Sequence, residues 1–508
     1  MTQDRAPKST TEQPSLEREL ASFADILRSA AIDPADFKGY VFPLLFLKRI
    51  CDTHAAELAE FGEDADFSFK IPVDHRWSDL MAVSTDPSRP DLGEHLAATF
   101  AAIEIENHEL LEDIFGDVDW GNTKKLPVNV LRAMIDKLNS LALDPQSAGA
   151  DELGNAYEGL LKNFADQSGK RAGEFYTPRP VVKLLTHLLD PQPGESVYDP
   201  TCGSGGMLIG LTQVVREKGR KASELFVFGQ ELNPTTAAIA RINLYIHGLL
   251  DGKVAQGDTL AEPKFLDAAT DSGLKQFDVV IANPPFSIGK GLPDGWSGYK
   301  RWAEDPHRRG SHGIPPKSTA DWAFVEHMLA SLKPETGRLA VVLPHGALER
   351  EAEAHIRKSL VEHGLVMAVI GLAPNLFYNT SIPVAVLVLS RAKRPELAGS
   401  VLFVDAAARF VKGKNQNTMS DEDIDAIVAA YAKAADPDGA AGVRIQLVPT
   451  AEIEAAGHTL SLKRYFPATE GVVVDPRLAF AAWAASGEEL ERAEAELRAT
   501  LKEAGLAS

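Results

Sequence analysis

The sequence predicts an α/β protein with a doubly wound sheet, an all-α region before the sheet and a helical C-terminal tail. Before the polar, Gly-rich segment 169–173, apolar residues such as Leu20, Phe23 and Leu27 recur at helix spacing. After that segment, short β-rich runs alternate with helical runs, which is typical of a doubly wound sheet. The chain ends in stretches rich in Ala, Glu and Leu, including residues 488–506.

These changes in pattern divide the chain into four segments. Residues 1–14 are rich in Thr, Gln, Pro and Lys, and we expect them to be disordered. Residues 15–168 form the predicted helical N-terminal domain, with a buried helix over Phe37–Asp52 that Pro43 could kink. Residues 169–416 form the α/β domain, and residues 417–508 form a helical region that we expect to dock a partner.

The predicted sheet contains six strands. They are Ser196–Tyr198, Leu225–Gly229, Phe277–Ala282, Arg338–Leu343, Val366–Gly371 and Val384–Leu389. The segment that joins the last two contains two prolines and is too short for a helical crossover. We therefore expect an antiparallel hairpin at one edge of the sheet.

Composition excludes several classes of protein. The chain has 508 residues, of which 44% are hydrophobic and 24% charged, as in ordinary soluble proteins. No apolar run reaches the length of a membrane helix and the polar N-terminus lacks a signal sequence, so we expect a cytoplasmic protein without membrane contact. Two cysteines, Cys51 and Cys202, cannot build a cysteine-rich zinc site, and no metal is expected. A net charge of −20 argues against a protein that grips DNA alone.

A Gly-rich turn follows the first strand in VYDPTCGSGGMLIG, Val197–Gly210. The strand ends at Asp199, and the turn opens a helix whose first N–H groups are free for a ligand. An acid at the strand end suits a cationic or hydroxyl-bearing ligand, so the turn indicates a nucleoside-type cofactor in a Rossmann-like fold. The alternative is a tight strand-to-helix turn without a ligand.

Two further acids follow along the chain. Glu231 ends the second strand, where a carboxylate can accept hydrogen bonds from both ribose hydroxyls. Asp258 lies in the next turn, GDTL, and could accept from an adenine amine. Glu231 could instead be a helix cap or an exposed acid.

The segment FDVVIANPPF carries the most informative motif, because an apolar strand runs directly into Asn283, Pro284, Pro285 and Phe286. An exocyclic amine on a base is a poor nucleophile, since its lone pair is delocalised into the ring. Two acceptors aligned on its hydrogens, the Asn283 side-chain oxygen and the Pro284 carbonyl, would shift electron density toward nitrogen. The prolines hold that carbonyl rigidly, and Phe286 could stack on an extruded base. The alternative is a proline turn that ends a strand.

Upstream, GEFYTPRPVVKLL contains the helix-start signal Thr177–Pro178. Because it precedes the first strand, this segment could lie across the methionine end of the cofactor. A plain helix cap is the alternative.

The order of EFYTPR, DPTCGSGG, an acid after the second strand and NPPF resembles amino-group DNA methyltransferases of the γ arrangement. The chain most resembles the modification subunit of type I restriction-modification systems. The resemblance spans roughly residues 15–470 and includes YVFPLLFLKRICD and the KGKNQN stretch at 412–417. It implies a Rossmann-like S-adenosylmethionine-dependent methyltransferase in residues 169–416 that acts on N6 of adenine in DNA.

The resemblance also implies site residues and partners. The catalytic segment is Asn283–Phe286. The cofactor S-adenosylmethionine would contact Glu174, Phe175, Tyr176, Thr177, Pro178, Arg179, Asp199, Ser204, Gly205, Gly206, Glu231 and Asp258. Members of this family work on DNA with a separate specificity subunit, often as two modification chains per specificity chain, and a larger complex adds a restriction and translocase subunit. The chain has no phosphate-binding loop of its own for translocation.

One local patch is basic. The segment 289–317 carries cations with interleaved aromatics: Lys290, Lys300, Arg301, Arg308, Arg309, Lys317, Trp296, Tyr299 and Trp302. Because it follows the catalytic turn, we expect it to close over DNA near a flipped base; a solvated loop is the alternative. Lys412, Lys414 and Asn415–Asn417 could form a second DNA contact.

Three other functions remain open at this point. The amine could belong to cytosine N4, RNA or a protein glutamine, since NPP-type turns serve several planar amines. The chain could instead be a non-catalytic subunit that holds the cofactor as a structural ligand. A self-sufficient restriction-methylation fusion is disfavoured because the chain has no nuclease or ATPase segment.

Overall fold

A computed structural model describes residues 15–34, 36–63, 65–167, 177–377, 382–392, 394–414, 416–434, 442–466, 492–493 and 495. Described residues up to Leu462 belong to one compact unit, and those from Lys463 onward belong to a second. The segment 1–14, predicted to be disordered, lies outside the described residues, as does nearly all of the tail helix predicted at 488–506.

The chain before the sheet is helical, as the sequence predicts. The helices there are α1 (Leu16–Ala21), α2 (Phe23–Ser29), α3 (Phe37–Phe61), α4 (Trp77–Thr85), α5 (Leu92–Glu106), α6 (His108–Leu111), α7 (Val128–Asn139) and α8 (Ala150–Gln167). Helix α3 is the central one, because most side chains of its first four turns are buried. It contains Pro43 and continues well beyond the predicted end near Asp52.

The sheet consists, within the described residues, of nine strands. They are β1 (Ser196–Asp199), β2 (Phe226–Glu231), β3 (Lys253–Gln256), β4 (Val279–Ala282), β5 (Arg338–Pro344), β6 (Val366–Gly371), β7 (Val384–Ser390), β8 (Ser400–Asp405) and β9 (Arg444–Pro449). Their order is β3-β2-β1-β4-β5-β7-β6-β8-β9. Strands β1 to β5 are mutually parallel, and β7 runs antiparallel between β5 and β6.

The α/β fold class and the antiparallel β6–β7 hairpin are confirmed, but the hairpin is not at the edge of the sheet. Strand β8 pairs parallel to β6, and β9 pairs antiparallel to β8 beyond it. Strands β3, β8 and β9 were not predicted. Strands β3 and β9 are partly exposed edge strands, so the continuous apolar runs that mark buried parallel strands are missing from them. Strand β9 also places a strand in the segment 417–508, which was predicted to be helical.

Nine further α-helices follow α8 within the described residues. They are α9 (Arg179–Leu189), α10 (Gly206–Glu217), α11 (Pro234–Ile246), α12 (Asp321–Ala330), α13 (His345–Glu349), α14 (Ala354–Glu362), α15 (Asp421–Lys433), α16 (Thr450–Ala455) and α17 (Leu462–Tyr465). Helices α9, α10 and α15 share a core with β1, β4, β5, β6 and β7.

Helix α11 contributes to two cores. Ala237, Ala240 and Leu244 pack with the sheet, whereas Ile239 and Ile242 pack with the N-terminal helices. The N-terminal helices and the sheet are therefore joined through this helix. Within the part of the chain that the structure describes, the helices are too short or too polar to span a lipid bilayer.

Candidate active site

The predicted site residues gather at one edge of the sheet. Asp199 and Glu231 are the last residues of β1 and β2, and Asn283 directly follows β4. Asp258 lies two residues after β3. Because these four strands are parallel, their carboxyl ends meet at the same edge, where open α/β sheets bind ligands.

Glu231 fixes the Gly-rich turn after β1. Its Oε2 accepts a hydrogen bond from the Gly203 N–H at 3.1 Å, and its Oε1 accepts one from the Asn233 N–H at 2.8 Å. Gly205, which precedes α10, has φ +82°, a conformation that a residue with a Cβ rarely adopts. The carboxylate is thus oriented by main-chain donors, and each oxygen keeps a second lone pair for a ligand.

Asp199 and Glu231 form an acidic interior to the site. Asp199 is 1% exposed, and burial raises its pKa to about 8, with the nearby Glu231 charge adding to the rise. Its Oδ1 accepts a hydrogen bond from the Thr201 N–H at 2.9 Å. Burial also raises the pKa of Glu231. Two buried acids that resist ionisation favour a ligand that brings positive charge or hydrogen-bond donors.

Asp258 caps its own turn. Its Oδ1 accepts hydrogen bonds from the N–H groups of Leu260 and Ala261, at 2.9 and 3.0 Å. The hydroxyl of the next residue, Thr259, donates to the Pro200 carbonyl at 2.5 Å and joins this turn to the Gly-rich turn. The sequence pattern did not identify Thr259, because a lone threonine after an acid has no distinctive spacing.

Asn283 lies against the segment that precedes α9. Its Nδ2 donates a hydrogen bond to the Thr177 Oγ1 at 3.0 Å. Its Oδ1 is buried and has no hydrogen-bond partner in the structure. Because a buried acceptor without a donor is unfavourable and rare, this oxygen indicates a binding site for a ligand N–H or O–H. The structure thus brings together two residues that are 106 positions apart in the sequence.

Phe286 forms an aromatic wall beside the turn that contains Asn283. It is half-buried, and its ring meets that of Phe377 at 6.2 Å between centroids and 68° between planes. Pro284 is buried, so the turn is held rigidly. Phe377 was not identified from the sequence; it follows the end of β6 by six residues, and no motif marks it.

The segment before α9 is only partly described. Glu174, Phe175 and Tyr176 lie outside the described residues. Pro178 precedes the first turn of α9, as the helix-start signal predicts. The Arg179 guanidinium pairs with Glu158 of α8 at 2.8 Å, so it is engaged within the protein.

A cavity of about 350 Å³ is lined by residues of α8, α9, α10 and α15 and by Thr177, Ser204 and Asn243. Its lining includes Gly206 at the start of α10 but none of the acids at the strand ends. The Asn243 side chain is fully buried, and its Nδ2 donates to the Ser204 carbonyl at 2.8 Å. Its Oδ1 has no hydrogen-bond partner in the structure. Among the described residues, no group of three or more histidine, cysteine or acidic side chains is arranged to hold a metal ion.

The basic segment 289–317 has a core of its own. Trp296 and Trp302 are each 2% exposed and pack with Leu260 and Phe324. Arg309 is also buried and pairs with Asp305. These three side chains anchor the segment to the protein, so the prediction that the segment closes over DNA now depends on its exposed cations.

The remaining cations of this segment are exposed: Lys290, Lys300, Arg301, Arg308 and Lys317. Lys300 pairs with Asp294 at 2.6 Å on the surface. Cys202 is buried against Gly229, where an added Cβ would lie 2.9 Å from the thiol sulfur.

The KGKNQN stretch lies next to the aromatic wall. The Asn417 main-chain N–H donates to the Asn375 carbonyl at 2.8 Å, and its side chain donates to the Pro374 carbonyl at 2.9 Å. These carbonyls belong to the loop that carries Phe377. Lys412 and Lys414 are exposed beside it.

Two family models match the chain. The model for N-6 DNA methylases matches residues 148–471, and the model for the HsdM N-terminal domain matches residues 16–138. The chain belongs to the N-6 DNA methylase family. These matches, together with the relatives of the chain, confirm the prediction that it is a modification subunit of a type I restriction-modification system.

Several relatives of this N-6 DNA methylase are methylase subunits of type I restriction enzymes. A type I restriction enzyme methylase subunit of Methanocaldococcus jannaschii, MjaVII, is 33% identical over 91% of this chain and 79% of its own length. The MpnII methylase subunit of Mycoplasma pneumoniae is 30% identical over 84% of each chain. For two other methylase subunits of that archaeon, MjaIX and MjaVIII, the match spans only 64% and 55% of their length.

A solved structure extends the likeness to three dimensions. The type I restriction-modification methyltransferase subunit of Streptococcus thermophilus superposes with a TM-score of 0.76 at 35% identity, covering 89% of this chain and 99% of that one. The likeness therefore includes the helical N-terminal region as well as the sheet.

Proposed function

We propose that this N-6 DNA methylase transfers a methyl group from S-adenosylmethionine to N6 of an adenine flipped out of a specific DNA sequence. The observation that carries the proposal is the buried, unpaired Oδ1 of Asn283, at the carboxyl end of β4. An amine that donates a hydrogen bond to it would satisfy the one unpaired polar atom of this side chain.

The residues at the sheet edge fit S-adenosylmethionine. The Glu231 carboxylate, which two main-chain N–H groups orient, would accept the ribose hydroxyls. The methionine end, which carries an ammonium and a carboxylate, would lie at the start of α10, where Ser204 and Gly206 line a cavity. Asp199 and Glu231 favour a cationic ligand, and Asp258 lies at the adjoining turn. We also propose that Ser204, Gly205 and Gly206 of the Gly-rich turn contact the cofactor.

When bound, the cofactor supplies an electrophilic methyl group on a positively charged sulfur. The chain's own residues prepare the nucleophile. The Asn283 Oδ1 would accept a hydrogen bond from one N–H of the adenine amine and the Pro284 carbonyl would accept one from the other, which directs the nitrogen lone pair away from the ring. As the nitrogen–methyl bond forms, the methyl–sulfur bond would break with its electron pair on sulfur, and the methylated amine would release one proton to solvent. Thr177 holds the Asn283 amide in register through its Oγ1. Pro285 stiffens the turn, and Phe286 stacks on the extruded base.

DNA recognition requires a partner in this proposal. The chain has a net charge of −20. Segment 289–317 and the KGKNQN stretch carry exposed cations. These would contact phosphates near the flipped base without reading sequence. A separate specificity subunit would read the bases, with two modification chains per specificity chain, and a restriction and translocase subunit would join a larger complex.

The experiment is methyl transfer from labelled S-adenosylmethionine to mixed-sequence DNA, with the chain alone and with its specificity subunit. The DNA is then hydrolysed to identify the modified base. We expect N6-methyladenine only when both proteins are present. Methylated cytosine or no base methylation would refute the proposed substrate, and activity of the chain alone would remove the argument for the partner.

The Asn283→Ala variant separates catalysis from binding. We expect turnover to fall by at least about 100-fold, the size of effect seen when a transition-state hydrogen bond is removed from an active site. Cofactor affinity, measured by calorimetry, should stay within about twofold. Asn139→Ala on α7, which loses only a surface contact with Trp77, is the matched control. Retained turnover in the Asn283 variant would exclude this mechanism, and a wild-type protein that binds cofactor without turnover would favour a non-catalytic subunit.

A further inference from the structure

The residue that follows the catalytic turn has an unusual main-chain conformation. Ser287 comes directly after Phe286 and has φ +56°, in the left-handed region that residues with a Cβ rarely occupy. Its N–H donates a hydrogen bond to the Asp321 Oδ1 at 2.8 Å. A specific contact therefore holds the end of the turn in a conformation that the local sequence disfavours.

Asp321 belongs to a buried ionic network. It is the first residue of α12 and is 1% exposed, and its Oδ2 pairs with the Arg350 guanidinium. Arg350 also donates to Glu353, through Nε at 2.9 Å and Nη2 at 3.0 Å. Glu353 is fully buried and accepts a hydrogen bond from the Thr319 hydroxyl at 2.7 Å.

The contacts of Asp321 differ from those of an ordinary acid at a helix start. An acid there commonly accepts hydrogen bonds from the free N–H groups of its own first turn. Helix α12 has no side-chain cap, and the Asp321 Oδ1 instead accepts from Ser287, 34 residues earlier in the chain. The carboxylate therefore ties the catalytic turn to α12.

We propose that Asp321 is a positioning residue for methyl transfer, which holds the turn Asn283–Ser287 so that the Asn283 oxygen and the Pro284 carbonyl converge on the amine. This inference rests on the proposed function for its kinetic part only. Asp321 touches no reacting atom. It acts through the Ser287 N–H, and the Arg350 guanidinium, which Glu353 holds in place, compensates its charge inside the protein.

The test compares Asp321→Asn with Asp278→Asn. Asp278 precedes β4 at the opposite end from the site, is 8% exposed, accepts from the Ser196 N–H at 2.8 Å and pairs with Lys333 at 2.8 Å. Both variants thus remove one charge from a buried, ion-paired carboxylate that holds a main-chain N–H. Asparagine has one acceptor oxygen where aspartate has two, so at position 321 the oxygen that binds the Arg350 guanidinium is no longer available to the Ser287 N–H. Only Asp321→Asn does so at the catalytic turn.

The first readout does not depend on activity. Amide hydrogen exchange is followed by mass spectrometry on a peptide that contains residues 283–287. Because Pro284 and Pro285 have no amide hydrogen, the turn contributes only the amides of Asn283, Phe286 and Ser287 to the signal. We expect exchange of this peptide to speed up by at least about tenfold in Asp321→Asn and to stay unchanged in Asp278→Asn.

The second readout is steady-state methylation with the specificity subunit present. We expect kcat to fall by about 100-fold in Asp321→Asn, the size that a misplacement of about 1 Å produces, while the KM for S-adenosylmethionine stays within about twofold. Asp278→Asn should keep kcat within about twofold. Arg350→Met should resemble Asp321→Asn, and the double variant should be no worse than either single variant, since both act through one network.

Each outcome decides the proposal. Unchanged exchange at the turn in Asp321→Asn would overturn it, as would equal losses of kcat in the Asp321 and Asp278 variants. If the wild-type protein methylates no adenine, the proposed function fails, and the exchange measurement alone still shows whether Asp321 holds the turn.

Discussion

Asp199 is a carboxyl group that the fold keeps in its protonated form, so Asp199→Asn should stabilise the cofactor-free protein, and more strongly at higher pH. Burial at the end of β1 is the main reason, and the nearby Glu231 charge adds to it. Asparagine keeps an oxygen that can accept the Thr201 N–H, which Asp199 binds at 2.9 Å, and it carries no charge to desolvate.

The size and sign of the effect follow from the shift in pKa. The pKa of Asp199 is about 8 in the folded protein, against 3.8 as the ordinary value. Each unit corresponds to about 1.4 kcal/mol, so full ionisation costs the folded state about 6 kcal/mol. Because the folded pKa is the higher one, the unfolded state loses its proton first as pH rises. Stability is therefore retained below pH 4 and lost progressively between pH 4 and pH 8.

The assay is urea unfolding of wild type and Asp199→Asn between pH 5 and pH 9 without cofactor. The difference in the free energy of unfolding should grow by about 4 kcal/mol in favour of the variant over this range and level off above pH 8. Asp251→Asn, at an exposed position, is the control. A difference that stays constant with pH would refute the reasoning, because it would show that Asp199 ionises normally in the folded protein.

Three further predictions concern packing, charge and reactivity. Arg309→Met breaks a buried ion pair and should destabilise the protein by about 3–5 kcal/mol without changing the salt dependence of DNA binding. Arg308→Ala, at an exposed position, should lower the slope of DNA affinity against salt by about 1 and leave stability unchanged. A lower salt slope in the Arg309 variant would show that Arg309 contacts DNA. Gly210→Ala places a Cβ 2.5 Å from a valine of α9, so a loss of about 1–3 kcal/mol in calorimetry is expected, and an unchanged melting temperature would mean that the two helices separate freely. Burial raises the pKa of Cys51 to about 12 and that of Cys202 well above its ordinary value, so a thiol reagent at pH 8 should label neither in the native protein and both in urea.

The sequence predicted those parts of the site that depend on local order along the chain. An apolar strand followed by an acid or by Asn-Pro-Pro identifies a strand end, and parallel strands bring their ends together, so Asp199, Glu231 and Asn283 could be predicted from the pattern alone. The contact between Asn283 and Thr177 was not predicted, because the sequence does not specify which atoms meet.

The parts that could not be predicted depend on which side chains are buried. Arg309, Trp296 and Trp302 have the composition of a nucleic-acid surface, and only the packing shows that they form a core. Asp321 has no motif around it, and its role depends on a contact with Ser287 across 34 residues. Strand β9 is partly exposed, which leaves its sequence without the apolar run of a buried strand.

Helix α11 has a consequence for dissecting or recombining these proteins. The two family models meet between residues 138 and 148, yet Ile239, Ile242 and Ile246 of α11 are at most 3% exposed because they pack into the core of the N-terminal helices. A fragment that starts at residue 148 would keep α8 but lose the rest of this core, which would expose part of these isoleucines at a cost of up to about 1.5–3 kcal/mol each, on the helix that follows Glu231. The border between the two sequence families is therefore not a border between independently folding pieces, and a chimera that exchanges N-terminal regions between relatives needs a matching face on α11 to keep its cofactor site intact.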